Sequence, residues 1–166
     1  TMVRTRVIQT LFAYYQDEEK TANAARKELR KSFADTYDLY FILLDFVNEL
    51  TAYAQQQLEE RSVRARATHS SWTPNRRFVQ NRLAQQIFDN RALRSRMTEQ
   101  RLSWESSINA VSAIYRQLTD SDFFRKYMEA EKCTYEDDKR LWRQIFQYLL
   151  ADSEVVFTCL NKNVLL

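Results

Sequence analysis

Arginine is the residue type whose spacing in this chain most clearly indicates a chemistry, the binding of phosphate. Residues 61–101 contain ten arginines, no lysine and two acids, Asp89 and Glu99, which gives this segment a net charge of +8. A guanidinium group binds phosphate through paired hydrogen bonds in a fixed geometry. The arginine block therefore predicts a surface for nucleic acid or for an acidic protein. The alternative is neutralisation by residues 35–60, which hold six acids and no lysine or arginine.

The other chemically active residue types occur in patterns that do not indicate catalysis. His69 is the only histidine, and Cys133 and Cys159 have no further ligand at metal-binding spacing. Adjacent acids such as Asp137 and Asp138 point about 100° apart on a helix, so we expect them to be solvated charges. Glycine is absent, which excludes phosphate loops, dinucleotide-binding turns and nucleophile elbows. We expect no enzyme activity, no cofactor and no metal site.

The lack of glycine also determines the predicted fold class. With no Gly and one Pro, the chain has almost no residues for tight turns between strands, so it is predicted to be all-α. Its 166 residues fit one domain, 1–166, built as a bundle of about six to eight helices. The longest apolar run, residues 39–44, is far shorter than the ~20 residues of a membrane span, and two unpaired cysteines favour a cytoplasmic setting. The apolar last residues, 164–166, indicate a piece of a longer protein.

Apolar spacing predicts three helical segments in the first 66 residues. Residues 3–16 read as an amphipathic helix, and Thr21 is a candidate N-cap for a second helix. Residues 37–58 are apolar around most of their circumference, which indicates a central buried helix. A single rod over residues 21–66 would be ~70 Å long, so we expect a break near Asp35 or an end that projects past Glu60.

Residues 68–75 form the one extended run of loop-forming residues and are the predicted internal linker. A helix is predicted over residues 78–93, and four more over residues 105–118, 122–128, 135–150 and 152–160. Asp120 or Ser121, Thr134 and Asp152 are the candidate N-caps of the last three.

The first helical segment resembles the opening helix of the NusB family of transcription antitermination factors. The family pattern there is Arg-x-x-Ala-apolar-Gln-x-Leu-aromatic-x-aromatic, and the matching residues are Arg4, Gln9, Leu11, Phe12 and Tyr14. Val7 replaces the usual Ala. Residues 38–40 and 74–82 resemble the N-terminal portion of an extended bacterial form of the family. The C-terminal signatures of the family do not occur before Leu166.

The resemblance implies an all-helical RNA-binding protein. Members bind the boxA element of nascent RNA together with NusE, a small-subunit ribosomal protein, and so act on the transcription elongation complex. Arg4 is the RNA contact that the resemblance implies, and Arg6 is added as its exposed neighbour. Arg76 and Arg77 of the arginine block and Trp72, whose ring could stack on an unpaired base, complete the predicted RNA-binding residues. The alternative function is a non-catalytic helical scaffold for protein partners; homodimer formation and RNA sequence preference stay open.

Overall fold

The computed structural model describes residues 2–17, 19–104 and 107–164, and these form eight α-helices with no strand. The all-α prediction is confirmed. The helices are α1 Met2–Gln16, α2 Ala22–Ala67, α3 Arg82–Phe88, α4 Arg91–Glu99, α5 Ile108–Asp120, α6 Asp122–Glu129, α7 Tyr135–Ile145 and α8 Glu154–Val164, with a π-helical turn, Phe146–Leu150, after α7. None of them has both the length and the apolar content of a membrane-spanning helix.

Helix α2 is the axis of the molecule and runs for 46 residues without interruption. Thr21 caps its first turn, since the hydroxyl accepts a hydrogen bond from the amide of Ala24. The predicted break near Asp35 is absent because no Gly or Pro interrupts the helix, and the Thr36 hydroxyl bonds back to the carbonyl of Ser32 within it. At 1.5 Å per residue α2 is about 69 Å long, and its last turns, where Val63 is 62% exposed, extend beyond the bundle.

The hydrophobic core forms around the middle of α2. Its buried residues Ile42, Phe46, Val47, Leu50 and Ala54 lie within the predicted central helix. They pack in one cluster with the inner faces of α5 and α7. Trp104 is part of this cluster and joins it to α2. Its indole N–H donates to the carbonyl of Ile42 at 2.9 Å, and its ring packs edge to face against Phe46.

Helix α1 folds back along the N-terminal part of α2 and forms a two-helix hairpin outside that core. The residues lining the groove between the helices are Val7, Thr10, Leu11, Tyr14, Ala22, Ala25, Arg26 and Leu29. Two helices alone cannot enclose their apolar faces, so Ala25 is the only buried residue among the described side chains of residues 4–41. The 3.6-residue spacing of the predicted amphipathic helix places Ile8 and Tyr15 on its apolar side with Val7 and Leu11, but in the structure they are 65% and 79% exposed.

Several predicted boundaries differ from the structure because asparagine and serine caps were not recognised. The single helix expected over residues 78–93 is two helices, α3 and α4, separated at residues 89–90. The side-chain oxygens of Asn81 and Asn90 each accept a hydrogen bond from the backbone amide three residues ahead, so each residue caps the start of a helix. Ser153, rather than Asp152, caps α8. The N-caps Ser121 and Thr134 are confirmed, but α7 ends at residue 145, where the π-helical turn follows.

Two helices end in a left-handed residue that is not glycine. His69, after α2, has a φ of 51°, and Arg101, after α4, has a φ of 53°. In both cases the amide of the following residue donates back to the carbonyl five residues earlier, at 2.9 and 3.0 Å. This is the Schellman geometry that Gly usually supplies. A chain without Gly therefore adopts it with residues for which the left-handed region is strained.

Candidate nucleic-acid interface

The five predicted RNA-binding residues lie at three separate places. Arg4 and Arg6 lie on α1 of the hairpin, Trp72 lies near the C-terminal end of α2, and Arg76 and Arg77 lie in the segment before α3. Helix α1 lies against residues 22–29 of α2. Val79, which follows Arg77 by two positions, lies beside residues 48–52 of the same helix. Leu29 and Asn48, at the facing ends of these sections, are 19 positions apart, which corresponds to about 28 Å along the helix.

Arg76 and Arg77 border an open cleft of about 680 Å³, which we call the arginine cleft. Its lining residues are Thr73, Pro74, Asn75, Arg76, Arg77, Gln80, Arg82, Tyr127, Cys133 and Asp138. Arg77 is held in place, because its Nη1 donates to the carbonyl of Tyr127 at 2.7 Å. Asn75 fixes the same segment to α6 through the carbonyl of Met128 at 3.0 Å. Arg76 is exposed and is the arginine of this pair that is directed to solvent.

A buried carboxylate joins the arginine cleft to α7. Asp138 is 2% exposed and accepts hydrogen bonds from Tyr127 Oη at 2.7 Å, Arg82 Nε at 2.7 Å and Cys133 Sγ at 3.2 Å. The backbone amide of Arg82 donates to the same carboxylate at 3.2 Å. The prediction that Asp138 is a solvated charge is therefore wrong. It lies one turn before Trp142, on the inner face of α7, where these donors replace water.

The protonation states in this network follow from those donors. Burial acts to raise the pKa of Asp138, but the hydrogen bonds from Tyr127, Arg82 and Cys133 outweigh it and hold the pKa below its usual range. Burial and the bond to Asp138 raise the pKa of Tyr127 strongly and raise that of the Cys133 thiol. The carboxylate is thus ionised while the phenol and the thiol keep their protons, an arrangement suited to holding three chain segments together and not to nucleophilic attack.

Trp72 has a neighbour that was not expected from the sequence. The guanidinium of Arg61 lies over the indole ring, 4.7 Å from its centroid, and the side chain is half-buried. One face of the ring is occupied by this contact. The segment predicted as a linker thus holds Trp72 against α2 and, through Asn75, is bonded to α6.

Most of the arginine block is not neutralised by the acidic segment before it. Among the described residues, three of its ten arginines form ion pairs, with Glu60, Asp138 and Asp38 as partners. The pair of Arg96 with Asp38, at 2.9 Å, is the one that joins the block to a distant part of residues 35–60. The other seven arginines of the block thus form no ion pair with a described acid.

The hairpin is a second cationic surface, and only two of its six cations were identified from the sequence. Helix α1 has Arg4 and Arg6 and no acid, and both side chains are exposed. The first turns of α2 add four exposed cations: Arg26, Lys27, Arg30 and Lys31. Glu28, the one acid in residues 22–34, is paired with Lys20 at 2.5 Å. None of the six cations forms an ion pair with a described carboxylate. A charge count over residues 20–34 would have indicated the missing four.

No group of three or more His, Cys, Asp or Glu side chains suited to a metal ion occurs in the described part of the chain. Comparison of the sequence with protein-family models and curated proteins, and of the structure with solved structures, finds no match in any of the three.

Proposed function

We propose that this chain is an RNA-binding transcription antitermination factor similar to NusB, which binds boxA-type RNA together with a NusE-like ribosomal protein and performs no chemical step. The resemblance of residues 4–15 to the opening helix of that family is one support. The observation that carries the proposal is the state of Arg4 and Arg6: both are exposed, neither is paired with a described acid, and α1 contains no acid.

Unpaired exposed arginines favour RNA because phosphate binding releases counterions from the nucleic acid. For a single strand, the logarithm of the binding constant falls with the logarithm of salt concentration with a slope of about −0.7 per phosphate contact. If Arg4 and Arg6 each contact one phosphate, replacing both with Ala reduces that slope by about 1.4. A residue that only supports the fold would leave the slope unchanged.

The test is fluorescence anisotropy with a labelled boxA-type RNA and a scrambled RNA of equal length, each at several salt concentrations. We expect boxA-type RNA to bind more tightly than the scrambled RNA and the slope to fall in Arg4→Ala/Arg6→Ala. Arg116→Ala/Arg143→Ala is the matched control, since both arginines are exposed on other helices. Equal binding of the two RNAs, or equal slopes for the two double variants, would contradict the proposal.

Arg76 provides an independent test of the arginine cleft. It is exposed, whereas Arg77 and Arg82 are bonded to the protein. Arg76→Ala should therefore weaken RNA binding without loss of stability, whereas Arg77→Ala should also lower the thermal midpoint because the carbonyl of Tyr127 loses its donor. An unchanged affinity in Arg76→Ala would show that the arginine cleft does not contact the RNA, and the hairpin would then be the one proposed RNA-binding surface.

A scaffold that binds proteins is the second candidate, and the exposed apolar side chains of α1 favour it. Ile8, Phe12 and Tyr15 are each more than 60% exposed on one helix. If neither RNA binds and a protein partner does, this is the function that the chain performs.

A further inference from the structure

One side of the hairpin combines exposed apolar side chains of α1, a helix that contains no acid, with cations of α2. Helix α1 contacts α2 through Val7, Leu11 and Tyr14. The residue after each of these, namely Ile8, Phe12 and Tyr15, is rotated by about 100° and lies on the adjoining flank. Their side chains are 65%, 63% and 79% exposed. Large apolar side chains grouped in this way on a helix mark an interaction surface.

The cations on this side come from α2. Arg26 lines the groove against α1, and Arg30 follows Leu29 of the contact row. Each helix of the hairpin contacts the other through one row of residues. In an antiparallel pair, the residues that directly follow those of the contact row lie on the same side of the pair in both helices. Arg26 and Arg30 therefore border the stripe formed by Ile8, Phe12 and Tyr15. We call these five residues the hairpin face.

We propose that the hairpin face binds an amphipathic helix with acidic edges, contributed by a partner protein. The stripe has the spacing i, i+4, i+7, which is the seam that a helix packs against in a bundle. A third helix would cover the apolar side chains that two helices leave in water. Carboxylates at its edge would meet Arg26 and Arg30, neither of which is paired with a described acid.

Charge and side-chain type favour this occupant over two others. In a symmetric antiparallel pairing of two hairpins, the two-fold axis would pass near the middle of the stripe and bring the two copies of Arg26 together. A single-stranded RNA would supply anions and could stack bases on Phe12 and Tyr15, but the aliphatic side chain of Ile8 offers no ring for stacking, so RNA accounts for only part of the stripe. An acidic amphipathic helix satisfies both the apolar and the cationic part of the hairpin face. This inference does not depend on the proposed binding of RNA through Arg4 and Arg6.

The probe is a fluorescein-labelled peptide of three heptads with Leu at the a and d positions and Glu at e and g, compared with the same peptide carrying Lys at e and g. Anisotropy titrations of the whole chain should show binding of the Glu peptide and at least tenfold weaker binding of the Lys peptide. Phe12→Ser and Arg26→Glu/Arg30→Glu should each weaken binding of the Glu peptide at least tenfold. The Arg-to-Glu variant should in turn bind the Lys peptide.

Matched controls keep the test independent of folding. Val63→Ser removes an equally exposed apolar side chain at the other end of α2, and Arg91→Glu/Arg116→Glu reverses two exposed charges elsewhere; both should bind the Glu peptide as the unchanged protein does. Circular dichroism should give the same helix content and thermal midpoint for all variants, because the replaced side chains are exposed.

Three results would overturn the inference. The first is equal binding, or no binding, of the Glu and Lys peptides. The second is loss of boxA-type RNA binding in Phe12→Ser with no effect on the Glu peptide, which would make RNA the occupant. The third is dimerisation of the unchanged chain in sedimentation velocity that is abolished in Phe12→Ser, which would make a second copy the occupant.

Discussion

Replacing Asp138 with Ala should destabilise the folded chain by about 2 kcal/mol. The carboxylate is the acceptor for Tyr127 Oη, and both residues are buried, at 2% and 8% exposure. Without it the phenolic hydrogen has no acceptor, and a buried donor left unsatisfied costs about 1–3 kcal/mol. The ion pair with Arg82, whose side chain is 52% exposed, is screened by solvent and is left out of this figure.

Urea and thermal unfolding followed by tryptophan fluorescence measure this loss. For a chain of this size about 2 kcal/mol corresponds to a thermal midpoint lower by about 4–8 °C. Tyr127→Phe removes the donor instead and should cost about 1 kcal/mol. In the double variant the phenolic donor is absent and cannot be left without an acceptor, although the Arg82 amide and the Cys133 thiol still lose theirs, so the loss should be about 2 kcal/mol and not the sum of about 3.

The control is Asp120→Ala, which removes an exposed carboxylate at the end of α5 and should change stability by less than about 0.5 kcal/mol. The reasoning is refuted if Asp138→Ala is as mild as Asp120→Ala, or if the effects of Asp138→Ala and Tyr127→Phe add to within about 0.3 kcal/mol. Either result would mean that the carboxylate and the phenol do not depend on each other in the folded state.

Three further predictions concern the same network and the strained helix ends. Since the pKa of Asp138 is depressed on folding, the carboxylate stabilises the folded chain above its ordinary pKa of 3.8, and this stabilisation is lost as pH falls through the lower folded value. Acid titration followed by circular dichroism should show this loss, and Asp138→Asn should lack it. His69→Gly and Arg101→Gly should each raise stability by about 0.5–1 kcal/mol in urea unfolding, because Gly adopts the left-handed region without strain; a decrease would contradict this explanation. In a Cys159→Ser background, Cys133 should react with a disulfide reagent at pH 8 more slowly than a free peptide thiol, because its raised pKa leaves less thiolate; faster reaction would show that the thiol is not held in this network.

Local features of the sequence predicted the structure well where the cause is also local. Thr21, Ser121 and Thr134 bond to backbone amides three residues ahead, so the residue type and its position before an apolar run are sufficient to identify them as N-caps. The buried middle of α2 was predicted for a similar reason, because a helix that is apolar on all sides has to be enclosed. The missed caps Asn81 and Asn90 belong to the same class and could have been found with the same rule.

The arginine cleft could not be predicted, because the contacts that build it join distant parts of the chain. Arg77 bonds to Tyr127, 50 residues away, and Arg82 bonds to Asp138, 56 residues away. No spacing within one helix contains this information.

Helical spacing does distinguish the two adjacent acids of α7. Asp138 lies one turn before Leu141 and Trp142 on the apolar side of the helix, whereas Asp137 forms the capping box with Thr134. The donors that satisfy the buried carboxylate of Asp138 come from other segments of the chain, and helical spacing does not identify them.

The continuity of α2 determines how a ligand can use the two cationic surfaces. The fully buried residues of this helix, apart from Ala25, lie between Ile42 and Ala54, so the hairpin is carried on a section of α2 that stands outside the core. Since no break separates that section from the core, residues 22–29, which line the groove with α1, and residues 48–52, which lie beside Val79, are about 28 Å apart on one continuous helix. A ligand that contacts both the hairpin and the arginine cleft therefore binds two separate parts of the molecule. If the strand reaches both surfaces, the salt slope should fall by about 1.4 in Arg4→Ala/Arg6→Ala and by about 0.7 in Arg76→Ala, whereas an unchanged slope in either variant identifies the surface that the RNA does not reach.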